Sequence, residues 1–428
     1  YFNVKAVNGA GAFSGQVSSD GQTTVCYDST PPEDIAAVYD GTQIGYDIDV
    51  SGSASELSAV WSDSNDPETG IQAYWYSIGT ATGASDVVSW TSNNTITYVT
   101  HSGLSLTAGQ DYYFNVLAQN GDGLMSAVTS SDGQAPDLST PTVPLVYDGI
   151  GADVDYATTT GELSVNWSNS SDAESGIAGY WYAIGISQGA TDVLDWTFKS
   201  TGNSLTRYAT YTEGVTYYFS VKAENGVGLL SDTGESDGQL MDSLTPVQSD
   251  WSPADGATIA STTQQITLVT DENATCRWTL NNRSYSSIPT ANNCLPGGTQ
   301  NHSCGVSGFI EGAEYVYISC IDAAGNADDL DSNTRLDYTI DITPPQLSGF
   351  VPSEGSTLTT DSPTIQFTSD ETAACRWSLT DQAYASMAGD CSGDMTTSIS
   401  CGINSLVDGA EVVYIGCVDD HGNPDSVS

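Results

Sequence analysis

Basic side chains are nearly absent from this chain. Its 428 residues contain 54 Asp and Glu but only 8 Lys and Arg, which gives a formal net charge of −46. A surface of this sign repels phosphate backbones and anionic lipid headgroups, so we expect no nucleic-acid partner. No apolar run approaches the roughly 18–20 residues of a membrane span, so we expect no membrane insertion of this segment. The charge suits a salty or calcium-containing exterior, where counter-ions screen the self-repulsion.

Motifs for catalysis are missing as well. The three histidines, His101, His302 and His421, lie in unrelated segments. The sequence contains no Gly-x-Ser-x-Gly, His-Glu-x-x-His or glycine-rich phosphate loop. Pairs of carboxylates are unavoidable among 54 acids and carry no weight for glycosidase chemistry. The sequence therefore predicts a protein that is not an enzyme and holds no organic cofactor.

A repeated aromatic segment dominates what is present. It spans residues 112–121 and 217–226, and a shorter copy spans residues 1–9. In the first of these, Phe114 and Val116 alternate with more polar neighbours, which is the period of a half-buried β-strand that ends in an Asn-Gly turn. Repetition about every hundred residues indicates an array of like domains.

Linkers that begin with Asp and end in Pro separate the predicted domains. They lie at residues 28–32, 137–141, 242–246 and 341–345. Proline removes a backbone donor and fixes φ, so we expect short, semi-rigid boundaries there. The motifs of residues 31–140 recur in order in residues 141–243, and those of residues 244–343 recur in residues 344–428.

The first pair of domains, 31–140 and 141–243, resembles fibronectin type III domains. The resemblance is carried by a second-strand tryptophan (Trp61, Trp167), an Ile-x-x-Tyr-x-Tyr third strand, and a Leu-x-x-Gly-x-x-Tyr segment that ends at Tyr112. In the second copy, Tyr211 stands in place of that leucine. The resemblance implies β-sandwich modules, which serve as spacers, adhesins or binding domains.

Residues 1–30 contain too few strands for a core of their own. We expect one strand that ends near Asn8 and Gly9, and a second over residues 19–26. We therefore interpret residues 1–30 as the terminal strands of a truncated fibronectin type III-like domain.

The second pair, 244–343 and 344–428, resembles the immunoglobulin-like repeats of bacterial and archaeal surface proteins. Residues 271–278 align with residues 370–377, and both runs contain Cys-Arg-Trp. The last domain ends after its Gly-Asn turn, so we expect it to lack its last strand. The predicted fold class is all-β, with tandem immunoglobulin-like and fibronectin type III-like β-sandwich domains in an extended array.

Eight of the nine cysteines fall into two sets of four, one in each domain of the second pair. Even sets predict disulfides and an oxidising compartment, and their spacing disfavours zinc. Spacing alone allows three connectivities in each set. Cys276 shares a strand face with Trp278, Cys320 shares one with Ile318, and those strands are neighbours in a sandwich of this kind. We therefore predict core bridges Cys276–Cys320 and Cys375–Cys417, and loop bridges Cys294–Cys304 and Cys391–Cys401.

Cys26 is left over from these sets. We expect it to pair with a residue outside this sequence or to form an intermolecular bridge.

Acidic residues are expected to gather at one pole of each domain, where the linker meets the second–third and sixth–seventh strand loops. Oxygen-only clusters suit Ca²⁺ with six to eight ligands, and a cation would stiffen the array. The alternative is that Asp and Asn satisfy turn backbones, since no EF-hand spacing is present. The candidates are Asp28, Asp66 and Glu68; Asp137, Asp172 and Glu174; Asp242, Asp271, Glu272, Asp322 and Asn326; and Asp341, Asp370, Glu371, Asp419, Asp420 and Asn423.

An aromatic strip is a further candidate. If the tyrosines of the third strand point inward, Trp75 points outward beside Tyr113 of the adjacent strand, and Trp181 and Tyr218 repeat this arrangement. An exposed aromatic platform stacks a sugar ring or contacts a neighbouring subunit. Alternatively, the segment after each third strand folds over the platform as a lid.

Sequons for N-linked glycosylation are the last feature. In a secreted, Ser- and Thr-rich chain several arise by chance, and their use depends on the host. They begin at Asn93, Asn166, Asn169, Asn273, Asn282 and Asn301.

Together these features predict a structural component of an extracellular or cell-surface filament, stalk or adhesin. We expect it to self-associate, end to end by strand complementation, or to bind other surface proteins. The alternative is a glycan-binding accessory region of a secreted carbohydrate-active enzyme, which would use Trp75 and Trp181.

Overall fold

The computed structural model describes residues 1–22 and 27–425 and consists of strands and connecting loops. Across these residues the only helical elements are three short 3-10 helices, Tyr285–Ser287, Thr290–Asn292 and Tyr384–Ser386. The predicted all-β class is confirmed. A search of the same residues for a helix able to span a membrane finds none. Cys26 lies outside the described residues, so its predicted bridge stays a prediction.

The chain divides into two compact units. The first comprises Tyr1–Val154, Ser164–Arg207 and Thr216–Gly238, and the second comprises Asp155–Leu163, Tyr208–Val215 and Gln239–Ser428.

The first unit opens with a small antiparallel hairpin of β1 (Asn3–Val4) and β2 (Val17–Ser18). The sequence predicted the second strand over residues 19–26, but the observed strand is Val17–Ser18. The reason is register: Val4 lies opposite Val17, and Ser19 N–H donates to the Phe2 carbonyl at 2.8 Å. Residues 23–26 of the predicted strand lie outside the described part of the chain.

Residues 31–140 form two sheets and a short parallel pair. The strands are β3 (Val38–Asp40), β4 (Val50–Ser51), β5 (Glu56–Trp61), β6 (Ile71–Gly79), β7 (Val88–Ser92), β8 (Tyr98–Ser102), β9 (Tyr113–Asn120), β10 (Thr129–Ser130) and β11 (Ala135–Pro136). One sheet has the order β3-β5-β8, the other β10-β9-β6-β7, and β4 pairs with β11. This is the antiparallel sandwich arrangement of fibronectin type III-like modules.

Large apolar side chains fill the space between the two sheets. Trp61 and Phe114 are fully buried, and the Trp61 ring meets that of Tyr74 edge-on, with 6.0 Å between centroids. The Tyr112 hydroxyl accepts the Thr107 N–H at 2.9 Å, which fixes the corner that the Leu-x-x-Gly-x-x-Tyr segment predicts. Alternation along β5, β6 and β9 therefore has its physical basis in this core.

Residues 141–243 repeat this set of strands. They are β12 (Val146–Asp148), β13 (Tyr156–Ala157), β14 (Glu162–Trp167), β15 (Ile177–Gly185), β16 (Leu194–Lys199), β17 (Ser204–Tyr208), β18 (Thr216–Asn225), β19 (Gly234–Glu235) and β20 (Gln239–Met241). Within the first unit, β12 pairs with β14, and β18 pairs with β15 and β19. Within the second unit, β13 and β20 form a parallel pair.

The rest of the second unit contains one long bent strand in each disulfide-bonded segment. The strands are β21 (Gln248–Ser252), β22 (Thr258–Ile259), β23 (Thr263–Thr279), β24 (Thr299–Ser307), β25 (Gly312–Asp322), β26 (Thr334–Ile340), β27 (Leu347–Val351), β28 (Thr364–Ser378), β29 (Gly389–Asp390), β30 (Thr396–Gly402) and β31 (Tyr414–Asp419). The first part of β23 pairs with β24 and its last part pairs with β25, with a bulge between Val269 and Ala274. β28 repeats this pattern with β30 and β31.

Four disulfides join the eight described cysteines of the second unit. Cys276 lies directly opposite Cys320 across β23 and β25, with Cα atoms 4.0 Å apart, and both are fully buried. The other bonds are Cys294–Cys304, Cys375–Cys417 and Cys391–Cys401. The four predicted pairs are confirmed, but Cys294–Cys304 and Cys391–Cys401 are not the loop bridges we expected. Cys304 lies in β24 and Cys401 in β30, and both bonds belong to the hydrophobic cores.

Removing Cys276–Cys320 should cost more stability than removing Cys294–Cys304. Cys276–Cys320 closes a separation of 44 residues and Cys294–Cys304 one of 10. The loop-closure model gives about 4 and about 3 kcal/mol of unfolding free energy, respectively. We expect that order when urea denaturation of the Cys276→Ala, Cys320→Ala variant is compared with Cys294→Ala, Cys304→Ala. An equal or larger loss for the Cys294 and Cys304 variant would contradict it.

Candidate functional site at the acidic poles

The predicted acidic clusters form four poles. Each contains one linker Asp, further acids and one Asn amide; the strand-end residue is that Asn in poles 1 and 2 and an Asp in poles 3 and 4. Pole 1 is Asp28, Asp66, Glu68 and Asn120; pole 2 is Asp137, Asp172, Glu174 and Asn225; pole 3 is Asp242, Glu272, Asp322 and Asn326; pole 4 is Asp341, Glu371, Asp419 and Asn423. Poles 1 and 2 lie in the first unit, and poles 3 and 4 lie in the second.

The last residue of a strand organises each pole. At the end of β9, Asn120 Oδ1 accepts the N–H groups of Asp122 at 3.2 Å and Leu124 at 2.9 Å and so closes the turn. The same acceptor role falls to Asn225 after β18, Asp322 after β25 and Asp419 after β31. In the turn, backbone N–H groups have no partner on a neighbouring strand, and this side-chain oxygen accepts their hydrogen bonds instead.

In pole 1 the amide nitrogen of Asn120 connects two acidic side chains. Because Oδ1 is held by backbone donors, Nδ2 faces the carboxylates. It donates to Asp28 at 2.7 Å and to Asp66 at 3.0 Å, and also to the Thr30 carbonyl at 3.1 Å. Asn120 is fully buried, so these contacts tie the linker to the sandwich that follows.

Pole 2 repeats this geometry. Asn225 Nδ2 donates to Asp137 at 2.9 Å and to Asp172 at 3.2 Å. Ser175 Oγ adds a bond to Asp137 at 2.6 Å, and Ser139 Oγ donates to Glu174 at 3.0 Å. Asp137 is fully buried, and no Lys, Arg or His of the described residues forms an ion pair with it. Neutral donors therefore satisfy this carboxylate.

The pKa values of the loop acids in poles 1 and 2 agree with this view. Hydrogen bonds from the Thr69 backbone and the Asn120 amide lower the pKa of Asp66. At Asp172, burial acts to raise the pKa, but the bonds from Ser175 and Asn225 together outweigh it and lower the pKa. These donors favour the ionised carboxylates. Calcium at the two poles of the first unit stays a prediction.

Pole 3 has the same arrangement, but fewer hydrogen-bond donors offset the repulsion between its carboxylates. Asn326 Nδ2 donates to Asp242 Oδ1 at 3.2 Å and to Asp322 at 2.9 Å. Glu272 occupies the bulge of β23, where its half-buried carboxylate faces those of Asp242 and Asp322. Burial and these two charges raise the pKa of Glu272 to about 7. Burial and Asp322 also raise the pKa of Asp242.

Pole 4 resembles pole 3 and contains a histidine. Asn423 Nδ2 donates to the Asp341 carbonyl and to Asp419, both at 2.8 Å. His421 Nδ1 lies 3.0 Å from Asp341 and 2.7 Å from Asp420. Burial, followed by the charges of Asp341 and Asp419, raises the pKa of Glu371. Poles 3 and 4 therefore bring like charges together with few donors.

Two predicted ligands have a different local role. Asp271 accepts the Val247 N–H and Asp370 accepts the Gln346 N–H, each at 2.7 Å. Both bonds hold the chain where it enters the first strand of its sandwich, so these carboxylates orient the linker.

A buried carboxylate that the sequence did not identify lies elsewhere in the first unit. Asp40 is fully buried and accepts the Gly133 N–H at 3.0 Å and a Gln134 amide N–H at 2.9 Å. Burial outweighs these bonds and raises its pKa to about 7. The only sequence signal is its place in the repeated Val-Tyr-Asp-Gly motif.

The predicted aromatic pairs do not form. Trp75 lies opposite Leu117, while Tyr113 lies opposite Gly79, four residues further along β6. Trp181 and Tyr218 are separated in the same way, since Trp181 lies opposite Lys222. Alternation along a strand predicts which sheet face a side chain is on, but not which residues of two strands lie opposite each other. The offset of four residues separates each predicted pair by about 13 Å along the strands.

The alternative lid is also not observed. The segment after β6 becomes the adjacent strand β7, in which Ser92 lies opposite Trp75. Trp75 is half-buried and its Nε1 donates to Gln119 at 3.0 Å. Trp181 is also half-buried, with its Nε1 bonded to Glu224 and its ring 5.2 Å from Phe198. Both tryptophans are therefore held on the sheet by neighbours from the adjacent strands.

The fold and the poles define a protein of tandem β-sandwiches. No protein-family model matches the sequence, and no curated protein matches it. The chain is similar to the FN1–FN3 domains of chicken CNTN1, at 15% identity over 72% of this chain and 98% of that one, with a TM-score of 0.24. It is also similar to the fibronectin(III)-like modules of Clostridium thermocellum CbhA, at 13% identity over 48% and 94%, with a TM-score of 0.29. The sandwich assignment rests on the strand pairing of this chain itself.

Asn225→Asp should destabilise pole 2. The new carboxylate keeps the oxygen that closes the turn but replaces the donor that faces Asp137 and Asp172. We expect a loss of about 2–4 kcal/mol in unfolding free energy at pH 7.5. The deficit should shrink as pH falls, because the crowded carboxylates then take up a proton. Asn94→Asp adds the same charge at an exposed turn of the first unit, away from the poles, and is the control. Equal urea midpoints for both variants would contradict the role of Asn225.

Proposed function

We propose that this protein is a structural component of an extracellular or cell-surface filament, stalk or adhesin, with no enzymatic role. Four disulfides are consistent with an oxidising exterior. The repeated poles supply what a load-bearing array needs, because each fastens a linker to the sandwich that follows. The proposed partners are further copies of this chain or other surface proteins.

Exposed apolar side chains at the first hairpin are the observation that carries the proposal. Phe2 and Val4 occupy the repeat positions of Phe114 and Val116, which are fully buried. In the hairpin they are 71% and 66% exposed. Side chains that form a core in one copy of the repeat and face water in another indicate a surface that a partner strand or sheet covers.

The last sandwich of the second unit offers a complementary edge. Within the described residues, β28 is the only strand that pairs with β31, which makes one further isolated bridge between Val418 and Pro424, whereas its counterpart β25 pairs with both β23 and β26. An open strand edge presents backbone N–H and C=O groups that accept an added strand. We propose that the hairpin of one copy covers the β31 edge of the next, which would extend the array end to end.

Charge on the hairpin should abolish this association. Phe2→Asp with Val4→Asp removes two apolar contacts, each worth about 1.5–3 kcal/mol on burial. We expect self-association, measured by sedimentation velocity across a concentration series, to weaken at least about 100-fold. Ile150→Asp is the control, since Ile150 is an equally exposed apolar residue at 71%. A wild-type chain that stays monomeric at high concentration, or a double variant that associates like wild type, would contradict the proposal.

Calcium is proposed for poles 3 and 4, where the acids are least compensated. Glu272 shares pole 3 with Asp242 and Asp322, and all three offer carboxylate oxygens. The hard oxygen donors fit Ca²⁺ rather than a soft metal. The ion would neutralise the repulsion and hold the linker carboxylate against the bulge of β23.

Calcium should therefore raise the thermal midpoint of the second unit. A saturating concentration, compared with chelator, is expected to shift the midpoint by about 5 °C or more. Glu272→Gln should remove most of this response and should itself stabilise the calcium-free protein, because it removes one of the repelling charges. Glu354→Gln, at an exposed site of the same unit, should respond like wild type. An identical wild-type midpoint with calcium and with chelator would exclude the cation.

A further inference from the structure

The six sequons differ in what the asparagine amide does in the fold. An N-linked glycan is attached to Nδ2, which then retains one hydrogen and carries a bulky substituent. A side chain whose Nδ2 already bridges two backbone carbonyls cannot carry a glycan without losing at least one of those bonds. Hydrogen bonding therefore sorts the sequons into two groups.

Three sequon amides are structural. Asn93 Nδ2 donates to the Ile96 and Tyr98 carbonyls, both at 2.9 Å, and so closes the turn after β7. Asn166 Nδ2 donates to the Gly149 and Gly151 carbonyls at 2.9 and 3.1 Å. Asn282 Nδ2 donates to the Leu330 carbonyl at 2.8 Å. The Asn93 bonds close a turn and the Asn166 bonds hold a loop against β14. The Asn282 bond joins two loops, where Asn282 Oδ1 also accepts a hydrogen bond from Asn333 Nδ2 at 2.7 Å.

The other three side chains, Asn169, Asn273 and Asn301, are exposed. No hydrogen bond of their amides to the rest of the described chain is found. Asn273 follows Glu272 in the bulge of β23, and Asn301 lies opposite Val269, where that bulge begins. Asn169 belongs to the loop between β14 and β15 that supplies Asp172 to pole 2. All three therefore border an acidic pole.

We infer that Asn169, Asn273 and Asn301 are N-glycan acceptor sites, while Asn93, Asn166 and Asn282 are structural. In the transfer, Nδ2 forms a bond to the anomeric carbon of a glycosyl diphosphate and releases one proton. The bond from that carbon to the diphosphate breaks, and the diphosphate leaves with the electron pair. Glycans at these positions would shield the two linkers beside poles 2 and 3 from proteases. The inference rests on the proposed extracellular location.

Site-specific mass spectrometry tests the assignment. The full chain is secreted from a eukaryotic cell line that adds N-glycans, then digested and deglycosylated with a peptide-N-glycosidase in ¹⁸O-water, which leaves labelled Asp at each occupied site. We expect label at Asn169, Asn273 and Asn301 and none at the three structural asparagines. Absence of label at the first three, or comparable label at Asn166 and Asn169, would overturn the inference.

Unglycosylated protein made in bacteria supplies a second readout. Asn93→Ala and Asn166→Ala should lower the thermal midpoint by several degrees, whereas Asn169→Ala, Asn273→Ala and Asn301→Ala should leave it unchanged. Equal effects in the two groups would contradict the sorting. The same unglycosylated protein reports on self-association, so loss of the glycan assignment and loss of the proposed function are distinguishable.

Discussion

The structure depends on satisfying buried carboxylates in a chain that has almost no cations. With 54 acidic residues and 8 Lys and Arg, ion pairs cannot neutralise the acids that the fold buries. Amide and hydroxyl donors take that place: Asn225 and Ser175 serve Asp137, and Gln134 serves Asp40. A buried carboxylate without donors would cost several kcal/mol, so these neutral groups are a condition for folding. At the poles, the Asn amide bonds also connect each linker Asp to the end of a strand. The groups that offset the charge there also fasten the linkers.

The two units stabilise their sandwiches differently. The repeat of residues 31–140 relies on a fully buried Trp61 and Phe114, whereas the disulfide-bonded segments place cystines at the corresponding depth. One of the few cations is used inside the fold: Arg277 donates to the Ile288 carbonyl at 3.0 Å and stacks 4.3 Å above the Tyr285 ring. The guanidinium there organises the long loop after β23. This positive charge therefore orders a loop and does not neutralise the acidic poles.

Several features of the candidate site were accessible from sequence because they depend on local patterns. Alternation predicted which faces of β23 and β25 carry cysteine, and that parity was enough to choose Cys276–Cys320 among three connectivities. Repeated linkers predicted that Asp137 and Asp242 would meet loop acids. Register was not accessible, because it depends on which residues of two strands align. Trp75 was therefore placed beside Tyr113 when it lies beside Leu117.

The sequence by itself determined the all-β class, the boundaries of the repeated motifs and the assembly of acids into poles. These features depend on local patterns: the alternation of apolar residues, the Pro-containing linkers and the repeated acidic positions. Only the tertiary structure decided what each acid does. Asp66 and Asp172 receive enough donors to stay ionised, while Glu272 is crowded by Asp242 and Asp322. The difference arises from which amide the turn directs into the pole and how deeply the bulge buries the glutamate. Both depend on distances between segments that no single stretch of sequence contains.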